Sequence, residues 1–252
     1  MYRLLLSQLE SVWCEPQANI DLISQTLQKH GHQAVDLALF PEMCLTGFCL
    51  SPSSQLAHSL WLSRLSESVQ NTQCALLFGM MQQQDSGEFV NSAVLINAQG
   101  EVDSGYQKQK LFALSDEPNR YKAGHKSWLF DLPNSEHQAA VFICYDLRFP
   151  ELFREVAQQA SVIFVLASWP STRALHWQAL LQARAIENQC YVVGVNRLGE
   201  DGNGWHYSGD SQVYGPDGQL IVNLAQTPSA LVEIDLAYVA SVRSQFPFLA
   251  DR

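Results

Sequence analysis

The chain has 252 residues, 47% of them hydrophobic and 16% charged, which suits one globular unit with a sizeable core at the upper end of single-domain length. Its net charge of −10 and the lack of a basic stripe argue against a nucleic-acid partner, so an anionic ligand would need local cations. The apolar run after Met1 is too short for a signal peptide or a membrane span, and no Pro/Ser-rich tract or charge block marks a linker. The cysteines at 14, 44, 49, 74, 144 and 190 form no CxxC pair and read as reduced thiols of a cytoplasmic protein. The histidines show no ligand spacing, so no metal is expected.

Residues 2–9 read as a first strand. Glu15-Pro16 opens an amphipathic helix with Ile20, Ile23 and Leu27 on one face, closed by Gly31 as C-cap. Val35 to Phe40 is the next strand, and a helix over 54–71 puts Leu56, Leu60, Leu65 and Val69 inward. Strands follow at about 74–82, 89–97 and 101–107. After a loop over 108–126 the order recurs: strand 138–143, helix 150–159, strand 161–167, helix 173–188, strand 190–197, then strands near 210–214 and 219–224. The turns Asn97-Ala-Gln-Gly100 and Gly215-Pro-Asp-Gly218 hold equivalent places in the two halves. Two mixed sheets packed face to face, with helices outside, would bury such apolar strands on both faces. The alternative, a single doubly wound sheet, lacks a Gly-rich phosphate loop.

Three strand ends carry chemistry. Cys144 follows the apolar run Ala139–Ile143 and precedes Pro150-Glu151, which reads as a helix start. A thiol there meets substrate beside backbone N–H groups; its bland reading is a buried small hydrophobe. Glu42 ends a buried strand in Leu39-Phe-Pro-Glu-Met43, either at the sheet rim or aimed into a cleft as a base. Lys108 and Lys110 both follow strand 101–107, and alternation puts them on one face, so periodicity cannot choose between them.

Together with their flanks these residues resemble the nitrilase superfamily, the carbon–nitrogen hydrolases acting through a Glu-Lys-Cys triad. The resemblance runs over about residues 2–235 and rests on Phe40-Pro-Glu-Met43, Tyr106-Gln-Lys-Gln-Lys-Leu-Phe112 and Ile143-Cys-Tyr-Asp-Leu-Arg-Phe-Pro-Glu151, with Gln182-Ala-Arg-Ala-Ile-Glu-Asn188 behind them. It implies a four-layer α-β-β-α sandwich with internal pseudo-symmetry, a single domain over 1–252 with an extension from about 236, and a homodimer. The family pattern Tyr-x-Lys-x-His-Leu-Phe assigns the catalytic lysine to Lys108, and Lys110 stands where histidine is usual. The family's second glutamate falls on Glu117, with Asp116 as the neighbouring alternative.

Within the superfamily, Cys144-Tyr-Asp-Leu-Arg-Phe-Pro-Glu151 and Val165-Leu-Ala-Ser-Trp-Pro-Ser-Thr-Arg-Ala-Leu-His-Trp177 look like the bacterial ω-amidase group. That implies hydrolysis of the terminal amide of 2-oxoglutaramate and 2-oxosuccinamate. A carbamoylase or aliphatic amidase of the same fold, and a non-catalytic ligand-binding protein, are the other readings. A Cys-His hydrolase fits poorly, because no histidine falls in a motif. Tyr145, through its backbone N–H, Trp169 and Arg173 are the expected substrate contacts, an arginine being able to clamp a carboxylate with two parallel hydrogen bonds. Arg148 is expected to pair with Asp146, Arg184 with Glu187 as scaffolding, and His176 to sit as a helix histidine. Phe246-Pro-Phe248 in the extension is expected to pack on a partner subunit.

Overall fold

Alternation along the apolar strands decides the architecture. In β1 (Tyr2–Ser7) and β2 (Leu37–Leu39), Leu4, Leu6, Leu37 and Leu39 turn one way and Leu5 and Ala38 the other, and all are buried. The first set enters a core between two sheets; the second meets helices α1 (Pro16–His30) and α2 (His58–Thr72) through Ile20, Ile23, Leu27, Trp61, Leu65 and Val69. A strand that buries both faces needs a layer on each side, which is why the molecule has four. The computed structural model describes residues 1–49 and 58–251.

The first sheet continues through β3 (Ala75–Gln83), β4 (Phe89–Ile96) and β5 (Val102–Gln107). After the one-turn helix α3 (Glu117–Arg120) come β6 (Leu129–Asp131), β7 (Gln138–Ile143), α4 (Pro150–Val156), β8 (Ala160–Ala167), α5 (Ala174–Asn188) and β9 (Tyr191–Asn196). The hairpin β10 (Leu198–Glu200) and β11 (His206–Ser208) stands apart, and β12 (Gln212–Tyr214), β13 (Leu220–Asn223), β14 (Ser229–Ile234) and α6 (Ala237–Gln245) close the chain. The two large sheets run β14-β1-β2-β3-β4-β5 and β13-β12-β9-β8-β7-β6. In each, three parallel strands are flanked by two antiparallel strands on one side and a single antiparallel strand on the other. That repeat is the pseudo-symmetry expected, with one exchange. The lone flanking strand of each sheet is the last strand of the other half: β6 follows β5 in sequence but pairs with β7, and β14 follows β13 but pairs with β1.

Gly31 is the C-cap of α1, as expected, but in right-handed helical geometry that opens a short 3-10 turn, and the left-handed residue is Ala34 at φ 51°. Other local expectations are corrected. Leu60 is 58% exposed, and the neighbouring Trp61 takes the inward position. The predicted start of that helix at 54–57, Leu56 included, lies outside the described residues. Cys14 and Cys49 are joined as a disulfide, with Cα atoms 5.3 Å apart, so not all six cysteines are reduced; Cys44, Cys74, Cys144 and Cys190 are free. The extension folds as α6, which buries Val239 and Val242 on its own chain. Phe246 and Phe248 stack on each other and stay exposed. Among the described residues no helix is long and apolar enough to cross a membrane.

Candidate active site

The ends of β2, β5 and β7 converge. Glu42 leaves β2 through a turn in which Met43 adopts φ 51°. Gly79 of β3 makes that turn possible: a Cβ there would lie 2.6 Å from the Glu42 Cα, while the Gly79 N–H donates to the Pro41 carbonyl at 3.1 Å. Cys144 leaves β7 with φ 45°, a left-handed backbone that a non-glycine residue adopts at a cost of about 1–3 kcal/mol and that recurs at active sites. Lys108 follows β5 directly.

Lys108 is 1% exposed and closes the cluster. Its Nζ donates to Glu42 Oε1 at 2.8 Å and to Glu117 Oε1 and Oε2 at 2.8 and 3.0 Å. Burial works against the ammonium charge, but the two carboxylates outweigh it and raise Lys108 well above its ordinary value, so it stays protonated. Glu42 also accepts the Ser168 N–H at Oε2, 2.9 Å away, and Glu117 accepts the Phe112 N–H at 2.6 Å. Of the two acidic neighbours, it is Glu117 that points inward; Asp116 bonds Asn119 and Arg120 at the surface. Cys144 is half-buried beside this cluster, its Sγ 3.8 Å from the Ser168 carbonyl oxygen. Burial first, and the Glu42 carboxylate second, push its thiol well above the usual value, with Lys108 pulling the other way. The direction of the shift favours the thiol over the thiolate at Cys144, beside the Glu42 carboxylate.

Lys108, Glu117, Cys144 and Ser168 line a cavity of about 650 Å³. Tyr145 packs edge-on to Phe112 and Phe149, with ring centroids 5.2 and 5.3 Å apart. Trp169 is buried, its Nε1 donating to the Arg173 carbonyl at 2.8 Å. The Arg173 guanidinium lies 5.4 Å from the Phe112 ring and 5.2 Å from the Trp205 ring, so aromatic faces fix a cation in the cavity wall. Arg148 also lines the wall, 4.7 Å from the Trp169 ring and 3.2 Å from His176 Nδ1. This corrects the expected Asp146–Arg148 pair. Asp146 turns inward, fully buried, and accepts from Tyr106 Oη (2.7 Å), Lys110 N (2.8 Å) and Ile143 N (3.0 Å). Arg184 does pair with Glu187, at 2.9 Å, and also holds the Leu147 carbonyl.

Sequence reasoning missed Asn91 and Gly79 as site residues and named Ser168 only within the Val165–Trp177 segment, without a role. Asn91 left a signal, an amide inside the apolar run Phe89–Ile96.

The carbon–nitrogen hydrolase family profile matches residues 3–244, and the chain belongs to that family. Among curated relatives, the Omega-amidase YafV of Escherichia coli (strain K12) is 36% identical, over 99% of this chain and 96% of that protein. The 2-oxoglutaramate amidase of Bacillus subtilis (strain 168) is 30% identical, over 97% and 95%. Among solved structures, a CN-hydrolase superfamily protein from Xanthomonas campestris with an arsenic adduct in its active site superposes with a TM-score of 0.89 at 29% identity, covering 100% of this chain and 97% of that one.

Proposed function

We propose that this protein is an ω-amidase that releases ammonia from the terminal amide of a short 2-oxo dicarboxylate monoamide such as 2-oxoglutaramate, as a cytoplasmic homodimer. One observation carries the chemistry: the Cys144 thiol on a strained turn beside a buried Glu-Lys-Glu cluster, in the wall of a cavity that Arg148 and Arg173 also line. The relatives named ω-amidase and 2-oxoglutaramate amidase support the substrate class. Exposed Leu175 and Ile186 on α5 support a covered face; a monomer in sedimentation velocity at working concentration would remove the dimer.

In this reading Glu42 takes the Cys144 proton as sulfur attacks the amide carbon. Lys108 and the Tyr145 N–H stabilise the oxyanion, and Glu117 holds Lys108 in place. One such donor is worth on the order of a hundred- to a thousand-fold in rate. Glu42 then gives its proton to the departing nitrogen, which leaves as ammonia, and a thioester remains. Water attacks the thioester carbon and loses its proton to Glu42, which returns it to the departing Cys144 sulfur. No cofactor enters. Arg173 and Arg148 bind the far carboxylate of the substrate, and Trp169 fixes the floor between them.

Ammonia release from 2-oxoglutaramate, with glutamine and asparagine as control amides, tests the proposal. We expect release from the oxo-amide above both controls and none from Cys144→Ala. Preference for a carbamoyl compound or a simple aliphatic amide, still dependent on Cys144, would replace the substrate class while leaving the chemistry.

A further inference from the structure

Asn91 sits in the middle of β4 and is completely buried. Its Nδ2 donates to Glu42 Oε1 at 2.8 Å and to Glu117 Oε1 at 3.1 Å, the same two oxygens that Lys108 Nζ holds. Its main-chain carbonyl accepts the Lys108 N–H at 2.8 Å. One neutral residue thus touches all three charged members of the cluster. Its other side-chain atom, Oδ1, is buried with no hydrogen-bond partner. That is a poor choice for stability alone. An orphaned buried acceptor destabilises, and leucine has nearly the same shape without one. Residues that break a local rule of this kind concentrate where a site needs them.

We infer that Asn91 is a positioning residue for the Cys144 reaction: its amide holds the Glu42 and Glu117 carboxylates together against the single Lys108 ammonium, so that Glu42 stays aimed at the thiol. Two adjacent carboxylates sharing one cation repel, and such a pair tends to take up a proton or move apart. A second donor relieves this. A cationic donor would over-neutralise the base, an aspartate would add a third negative charge, and an amide does neither. The inference rests on the reading that Cys144 attacks with Glu42 as its base, and not on which amide is cleaved.

Asn91→Leu and Asn91→Asp test it, with kcat and KM measured across pH, thermal unfolding, and the pH dependence of iodoacetamide alkylation at Cys144. Asn91→Leu should melt somewhat lower than the parent yet stay folded at assay temperature, because it removes a donor to two buried carboxylates while also removing an orphaned acceptor. Its kcat should fall about ten- to a hundred-fold, the range seen when a partner that orients a reacting group is removed, with KM little changed. Because the lost donor favoured the charged carboxylates, the acidic limb of its kcat profile should move to higher pH. Asn91→Asp should be slowest in alkali and recover as the pH falls, since a protonated carboxyl can donate one hydrogen bond in place of the amide.

Alkylation should slow in the same order and needs no substrate. A parent protein inert toward every amide, with alkylation that still responds to Asn91, would remove the amidase reading and keep the positioning role. Parental kcat, pH profile and alkylation in Asn91→Leu would overturn the inference, as would a kcat loss that only tracks unfolded protein. If Asn91→Leu does not fold, Asn91→Asp decides: recovery in acid supports the role and a pH-independent loss overturns it.

Discussion

At the scale of single residues, the two neighbours of Cys144 that read as a pair, Asp146 and Arg148, face opposite ways. Asp146 ties the cysteine turn to the lysine segment through Ile143 N, Lys110 N and Tyr106 Oη. Burial pushes its carboxyl up to about 6 from an ordinary 3.8, only partly offset by those donors. A carboxyl raised by folding contributes its stability below the unfolded value and loses it as the pH climbs through the folded one. Between about pH 4 and pH 6 the parent should therefore lose roughly 2 kcal/mol relative to Asp146→Asn, which cannot titrate there. Urea melts of both proteins at intervals across that range check this, and a constant difference would contradict it. Glu42 and Cys144 could be singled out from their motifs, and Glu117 only from its place after the lysine motif, with Asp116 beside it as the alternative. Lys108 was not legible by periodicity: β5 ends at Gln107, so strand alternation no longer governs 108–110. In the fold Lys108 is buried, while Lys110 lies over the Phe149 ring at the surface.

At the scale of elements, the long apolar strands and the amphipathic helices were readable because each carries several turns or alternations of pattern. The three-residue strands β6, β10 and β11 carry too few. β14 was also missed as a strand, since it exists through pairing with β1 at the opposite end of the chain, beyond any local window. Helix α6 has a similar dependence. Its Arg243 donates to the carbonyls of Ala157 (2.8 Å), Ala160 (2.8 Å), Gln158 (3.1 Å) and Gln189 (3.0 Å), at and just beyond the C-terminal ends of α4 and α5. A cation there satisfies orphaned carbonyls and complements both helix dipoles. Arg243→Ala should cost about 2–4 kcal/mol, given roughly 1.5–3 kcal/mol for a hydrogen bond to a charged group and partial replacement by water. Arg243→Lys should recover only part of this, because an ammonium cannot span the same fan of acceptors. Chemical denaturation measures both, and an Arg243→Ala protein as stable as the parent would show that α6 merely rests on the core.

At the scale of the molecule, the repeat explains why a site forms where it does. β2 and β8 hold equivalent places in the two sheets, and their ends touch: the Ser168 N–H donates to Glu42 Oε2 and the Ser168 hydroxyl to the Glu42 carbonyl, 2.9 and 3.2 Å apart. Glu42 comes from one half and Cys144 from the other. Two sheets that exchange their flanking strands cannot slide apart without breaking β1–β14 and β6–β7, so the spacing of Glu42, Lys108 and Cys144 is set by the whole sandwich. The central claim is that this assembled cluster cleaves an amide through a thioester on Cys144. Intact-mass and peptide mass spectrometry of rapidly quenched reactions with 2-oxoglutaramate would test it most directly. The account predicts an acyl group on the Cys144 peptide, formed together with a burst of up to one equivalent of ammonia and absent in Cys144→Ala. Steady ammonia release with no adduct, and with Cys144→Ala still active, would contradict it.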